Sequence, residues 1–442
     1  MILGLTAHDL VTLLFLQMAT ILAACRLCGW LGRRLGQTPV VSEMVAGVLL
    51  GPSLLGLIAP SVQGWLFPKT ITVAGAAGPV TMLHPSMLIL YALSQVGLVL
   101  YMFIIGMEFE HRLILGRLRH ATLVSGAGIV TPLILGGAAA LYLYDRADLF
   151  APHVTPGAAA LYLGAAMSIT AFPMLARILH DKGIARTRMG TLALAAGASD
   201  DAAAWCLLAL VLSYVSGSWL IALLAIGGGA AYTLVTLLVG TPALRGLDRW
   251  IVREGRMTPS ILVGGLLVLM IGAFTTDATG IYAVFGAFIA GLAMPRGRFT
   301  EEAIRHLQLL TTTFLLPVFF VYSGLNTQIA LLDSPSIWGV ALLLIALSIG
   351  GKGLACLAAA RVAGESWRES LTIGILMNAR GLMELIILNI GLQAGIITPT
   401  LFTILILMAI VTTVMASPLY LWIAGRAPAA VPSGGREVSA HG

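Results

Sequence analysis

Apolar runs of about 20 residues follow one another along the whole of this 442-residue chain, and each is long enough to cross a hydrocarbon layer of about 30 Å as a helix. No other feature limits the fold as strongly. Inside such a layer every backbone N–H and C=O must find its partner within the chain, and an apolar run of this length does so as a helix. Hydrophobic residues make up 59% of the sequence and charged residues only 10%, against about 25% charged in ordinary soluble domains. The runs centre on 9–30, 40–58, 86–107, 118–144, 157–180, 189–213, 217–240, 258–275, 279–295, 307–325, 337–361, 370–392 and 399–424. These are about thirteen spans with no soluble domain between them. The chain reads as an all-α polytopic membrane protein: a transmembrane domain over 1–425 and a short flexible tail over 426–442.

The cations fall on alternate loops. Arg26, Arg33 and Arg34 follow the first span, Arg112, Arg117 and Arg119 the third, and Arg177, Lys182, Arg186 and Arg188 the fifth. Arg245, Arg249, Arg253 and Arg256, then Arg296, Arg298 and Arg305, then Arg361 and Arg368, and finally Arg426 and Arg436 continue the pattern. Of 25 Lys and Arg, the opposite loops hold Lys69 and Arg146. Positive loops stay on the cytoplasmic side, so the N-terminus is expected outside and the C-terminus inside. The net charge of +6 is then topological, and no nucleic-acid partner is expected. The "LAAC" at 22–25 resembles a lipoprotein cleavage site, but no Lys or Arg precedes it, so the segment reads as a retained first span. Cys25 and Cys28 lack a second Cys or His pair nearby and read as small buried residues rather than a metal site. No cofactor and no resident metal are expected.

The two halves echo each other. "EMVAGVLLGP" (43–52) resembles "YAVFGAFIAG" (282–291), and "LVLYMFIIGME" (98–108) resembles "LPVFFVYSGLN" (316–326), with Gly106 matching Gly324. Spans one to six would pair with eight to thirteen. Seven spans separate partners, an odd number, so the halves are expected to be inverted with respect to each other. Such architectures interrupt matching helices near the midplane. The fifth span contains "SITAFP" (168–173), where Pro173 removes an N–H and Thr170 places a hydroxyl beside the break. Its expected partner, the twelfth, contains "MNARGLME" (377–384).

Few charges lie within the spans: Glu43, Asp200, Asp201, Lys352, Arg380 and Glu384. Each costs on the order of 3 kcal/mol at a helix centre unless it is paired or hydrated. Arg380 and Glu384, four apart, can meet on one face, and with Asn378 they are expected to brace the interrupted helix. Glu43 lies near the cytoplasmic interface, where hydration or pairing with a basic loop residue accounts for it. Asp200 and Asp201 point about 100° apart on a helix, so one can meet Lys352 while the other faces a cavity. Two carboxylates so close and partly out of water disfavour double ionisation. A carboxylate that can hold either a proton or a monovalent cation, but not both, is the chemistry of an antiporter. The eight histidines (His8, His84, His111, His120, His153, His180, His306, His441) all fall outside the membrane core and are not placed to relay protons across it.

"MSITAFPMLARIL" (167–179), "GASDDAAAW" (197–205), "GKG" (351–353) and "NARGLMELIILNIGLQAGIITPTLFTILILMAIVTT" (378–413) together resemble the monovalent cation/proton antiporter-2 family, the sodium/proton and potassium/proton exchangers. The resemblance covers essentially the whole membrane domain. It implies a sodium/proton-antiporter-like fold with two crossed, discontinuous helices, and a homodimer whose core moves against a dimerisation domain. It also implies that Asp201 is the cation- and proton-binding carboxylate, that Asp200 is its more variable partner, that Lys352 pairs with Asp200, and that Thr170 lies beside the site. Asp at position 200 suggests two protons per cation, hence electrogenic exchange. The family further implies a bacterial plasma membrane, a lipid bilayer and protons as partners, and a carrier rather than an enzyme.

Three alternatives compete with this reading. A channel-like potassium or ammonium efflux protein needs no titratable pair, and a sodium-coupled organic-anion symporter needs a roomier polar cavity than these spans can line. An intramembrane aspartyl protease would carry its acids on separate helices with a "GxGD" sequence, which is absent here.

Overall fold

The structure is a computed structural model that describes residues 6–35, 37–75, 78–109, 118–184, 187–215, 217–280 and 282–424. His111, Arg112, Arg117, Arg186 and the tail over 426–442 lie outside the described residues.

The local chemistry sets the helix ends. α1 (Ala7–Arg34) begins at a reciprocal cap: Asp9 N–H donates to the Thr6 hydroxyl while Thr6 N–H donates to the Asp9 carboxylate, and Arg33 and Arg34 close its last turn. α2 (Pro39–Leu50) opens on a proline whose missing N–H costs nothing at a first helical position. Two short helices, α3 (Leu55–Ile58) and α4 (Pro60–Leu66), follow it. An antiparallel hairpin comes next, β1 (Thr70–Gly75) on β2 (Gly78–Leu83), with Thr72 opposite Thr81. The span count gave no notice of this hairpin, although "TITV" and "PVTML" flanking small residues carry the alternation of short strands.

α5 (Pro85–Glu108) is capped by His84, whose Nδ1 accepts the Ser86 N–H at 3.2 Å. α6 is Leu118–Leu143. The fifth span is broken into α7 (Pro156–Ser168) and α8 (Phe172–Asp181), and α9 (Arg188–Val215) carries the two aspartates. α10 (Trp219–Val235) runs through a π turn at Thr236–Gly240 into the arginine-bearing α11 (Thr241–Glu254). Next come α12 (Pro259–Ala278), the eleven-residue α13 (Ala283–Ala293), and α14 (Arg298–Leu310), which passes through a second π turn, Thr311–Leu315, into α15 (Leu316–Leu325). α16 (Pro335–Val362) is unbroken; the twelfth span is split into α17 (Trp367–Leu376) and α18 (Leu382–Gln393); α19 is Pro399–Ala424. Among the described residues ten helices are long and apolar enough to cross a membrane. The two broken helices and α13 occupy the three other places where the sequence shows a span.

The long helices pack in two groups. α1, α2, α5, α12, α13 and α15 lie against one another, and α6, α7, α9, α16, α17 and α19 do the same. The first group is held together by close glycine crossings. A methyl at Gly324 would stand 2.4 Å from the Gly47 backbone, and one at Gly106 would stand 2.2 Å from the Phe288 carbonyl oxygen. Without aqueous driving force between helices, such close backbone approach is what supplies the dispersion energy of association.

Candidate functional site

The two helix breaks lie against each other. Ala171 N–H donates to the Ala379 carbonyl at 3.0 Å, and the Thr170 hydroxyl reaches the Met377 carbonyl at 2.9 Å. Pro173 falls in the first turn of α8, where its missing N–H helps to start the new helix rather than kink an old one.

Interrupting a helix strands carbonyls at one end and N–H groups at the other, each end carrying about half a unit charge. The cluster answers both. At the C-terminal end of α7, the Arg380 guanidinium donates to the carbonyls of Ala166 and Met167, and the Lys352 ammonium donates to that of Ser168. At the N-terminal end of α8, Phe172 N–H points at the Asp201 carboxylate, 3.4 Å away. Glu384 sits in the first turn of α18, 3.2 Å from Arg380. Thus opposite charges face opposite helix ends, which explains why Arg380 and Lys352 can be completely buried in a membrane span.

Asp200 and Asp201 are adjacent in sequence but not alike in surroundings. The Asp200 carboxylate accepts three short bonds: Ser125 Oγ at 2.6 Å, Thr170 Oγ1 at 2.7 Å and Lys352 Nζ at 2.8 Å. Lys352 also holds the Gly128 carbonyl at 3.0 Å, so its ammonium is fully engaged. Asp201, 9% exposed, has one donor among the described residues, the Phe172 N–H. One carboxylate is saturated; the other retains oxygen lone pairs for a proton or a cation.

The expected residues divide accordingly. Asp200, Thr170 and Lys352 meet directly, and Asp201 lies beside them. Asn378 braces the second break: its amide donates to Gly374 O at 3.0 Å and Ile349 O at 3.4 Å. The Arg380–Glu384 contact is present, but the Glu384 oxygens have no aligned donor, and most of the arginine's bonds go to α7 and Ser348. Glu43 lies half-buried on α2, in the other helix group. Sequence reasoning missed Ser125, Ser348 and Thr413, whose hydroxyl bonds both the N–H and the carbonyl of Arg380. A lone serine or threonine in an apolar helix is common, and only the position of its neighbours gives it a task.

With this geometry in view, a family model described as "Sodium/hydrogen exchanger, transmembrane" matches residues 21–422. The chain belongs to the sodium/hydrogen exchanger family. It is 37% identical over 409 residues to a Na+/H+ antiporter of Synechocystis sp., covering 92% of this chain and 96% of that one. Similarity extends to cation/H+ antiporter 20 of Arabidopsis thaliana, 33% identical over 421 residues, and to K+/H+ antiporter 1 of Saccharomyces cerevisiae, 30% identical over 420. Each match covers 92% of this chain but only 48% and 46% of those longer proteins. The motif resemblance to cation/proton antiporters therefore holds, and the family is one of transporters.

Proposed function

We propose that the chain exchanges a monovalent cation for protons across its membrane by alternating access, with Asp201 as the carboxylate on which cation and proton alternate. One observation carries this reading: Asp200 is held by three donors at 2.6 to 2.8 Å, whereas Asp201 has one bond at 3.4 Å. Lys352, Ser125 and Thr170 occupy the Asp200 carboxylate, which leaves Asp201 as the group with oxygen lone pairs free to change partners. The Na+/H+ and K+/H+ exchange named for the relatives supports the same activity here.

The arginine-rich loops favour a cytoplasmic face with the N-terminus outside, in a bacterial plasma membrane. The second helix group, which carries Ser125, Asp200, Asp201 and Lys352, is with the two broken helices the moving part, and the first group is the fixed part of a homodimer. The reciprocal glycine contacts, α2 on α15 and α5 on α13, support an inverted relation between the halves, since that inversion exchanges each pair for the other.

The test is dye-quench exchange in proteoliposomes, scanning Na+, K+, Li+ and ammonium across pH. Asp201→Asn is expected to abolish cation-dependent proton movement with every ion. Retained proton-coupled exchange in that variant would overturn the assignment.

A further inference from the structure

A second polar site lies on the face opposite the arginine-rich loops. There the ends of α5, α12, α13, α15 and α18 enclose a cavity of about 410 Å³. Tyr91, Gln95, Asp277, Tyr282 and Gln393 give it a polar lining, and Leu98 and Phe319 add apolar surface. At about 30 Å³ per water, it has room for roughly a dozen waters, enough for a monovalent cation within its hydration shell. Asp277 is exposed, and its Oδ1 accepts one bond, from Ala283 N–H at 3.2 Å. No Lys or Arg pairs with it among the described residues, and the loops on this face carry only Lys69 and Arg146 in the sequence. A carboxylate in a low-dielectric recess concentrates counter-ions, and the tyrosine rings add faces of negative quadrupole.

The cavity wall also touches the helix that carries the two aspartates. Trp205 follows Asp201 by one helical turn, about 6 Å along α9. Its indole packs on Tyr282, with ring centroids 6.4 Å apart, and on Phe285 at 6.1 Å. Tyr282 thus lines the cavity and touches a residue one helical turn from Asp201.

We propose that this vestibule is a distinct outer binding site for the hydrated transported cation, with Asp277 as its charge, occupied before entry to or after release from Asp201. It rests on the exchange reading above. The site is one of electrostatic capture, so it acts on apparent affinity from that side and is screened by salt.

The test uses proteoliposomes sorted for orientation, with Na+ and K+ titrated in separate series from the face opposite the arginine-rich loops. Asp277→Asn is expected to raise the apparent KM for the cation roughly three- to tenfold at low ionic strength, to leave the maximal rate near wild type, and to lose most of that difference at high ionic strength. Asp277→Glu, which keeps the charge, is expected to retain the wild-type KM. A KM unchanged in Asp277→Asn, or raised equally in Asp277→Glu, overturns the vestibule while leaving exchange at Asp201 intact. Absence of exchange in the wild type with either ion removes the reading on which both depend.

Discussion

Lys352 shows how one side chain can serve three needs at once. Its ammonium neutralises Asp200 and closes the carbonyls of Gly128 and Ser168, all without contact with water. Removing it leaves a buried carboxylate with two hydroxyls and no counter-charge. Breaking such a buried pair costs about 3 to 5 kcal/mol. Lys352→Ala is therefore expected to lower the thermal denaturation midpoint of the detergent-solubilised protein markedly, and Asp200→Asn in the same chain is expected to restore part of the loss. Equal midpoints for the single and double variants would contradict the pairing. The sequence showed that Lys352 and the aspartates had to be reconciled, because each is costly alone in a span. It did not show Ser125, whose hydroxyl lies 2.6 Å from Asp200 yet belongs to a helix with no other polar signal of its role.

At the scale of elements, the breaks were legible and their partners were not. Pro173 and the "NARG" segment marked where the two helices stop, since a proline and a cluster of polar groups are incompatible with an unbroken apolar helix. That Arg380 of one break would close the carbonyls of the other depends on their crossing, which places residues over two hundred positions apart within hydrogen-bonding distance. The glycine crossings belong to the same scale. Because a methyl at Gly324 would stand 2.4 Å from the Gly47 backbone, a larger side chain there must push α15 off α2. Gly324→Val is expected to reduce the folded, monodisperse fraction on size-exclusion chromatography several-fold, whereas Gly339→Val, at a position with no neighbouring atom within 4 Å of an added methyl, is expected to leave it unchanged. Equal losses at both positions would show that the crossing is not what matters.

For the whole molecule, the unequal aspartates bear on energy coupling. If two protons enter per cation extruded, one net charge moves, and each 100 mV contributes about 2.3 kcal/mol, which is roughly a fiftyfold change in the cation gradient sustained. Clamping the potential at zero in proteoliposomes is expected to lower the steady-state gradient by that order, and Asp200→Asn is expected to make the gradient insensitive to potential. A gradient that ignores the clamp in the wild type would rule out electrogenic exchange. Near the site, the end of α5 meets the start of α8 through Phe109 and Phe172 at 5.3 Å, and α9 meets the start of α13 through Trp205 and Tyr282 at 6.4 Å. Such contacts carry few directional bonds that a sliding motion would have to break.

The chain by itself determined that it lives in a membrane, where its spans run, and which few charges demand an explanation, because hydropathy and the cost of a buried charge are local properties of a sequence. Only the tertiary structure decided which carboxylate is saturated and which is free, because that depends on two hydroxyls, a backbone N–H and an ammonium brought from α6, α8, α16 and the break between α7 and α8, and no spacing along the chain encodes their meeting.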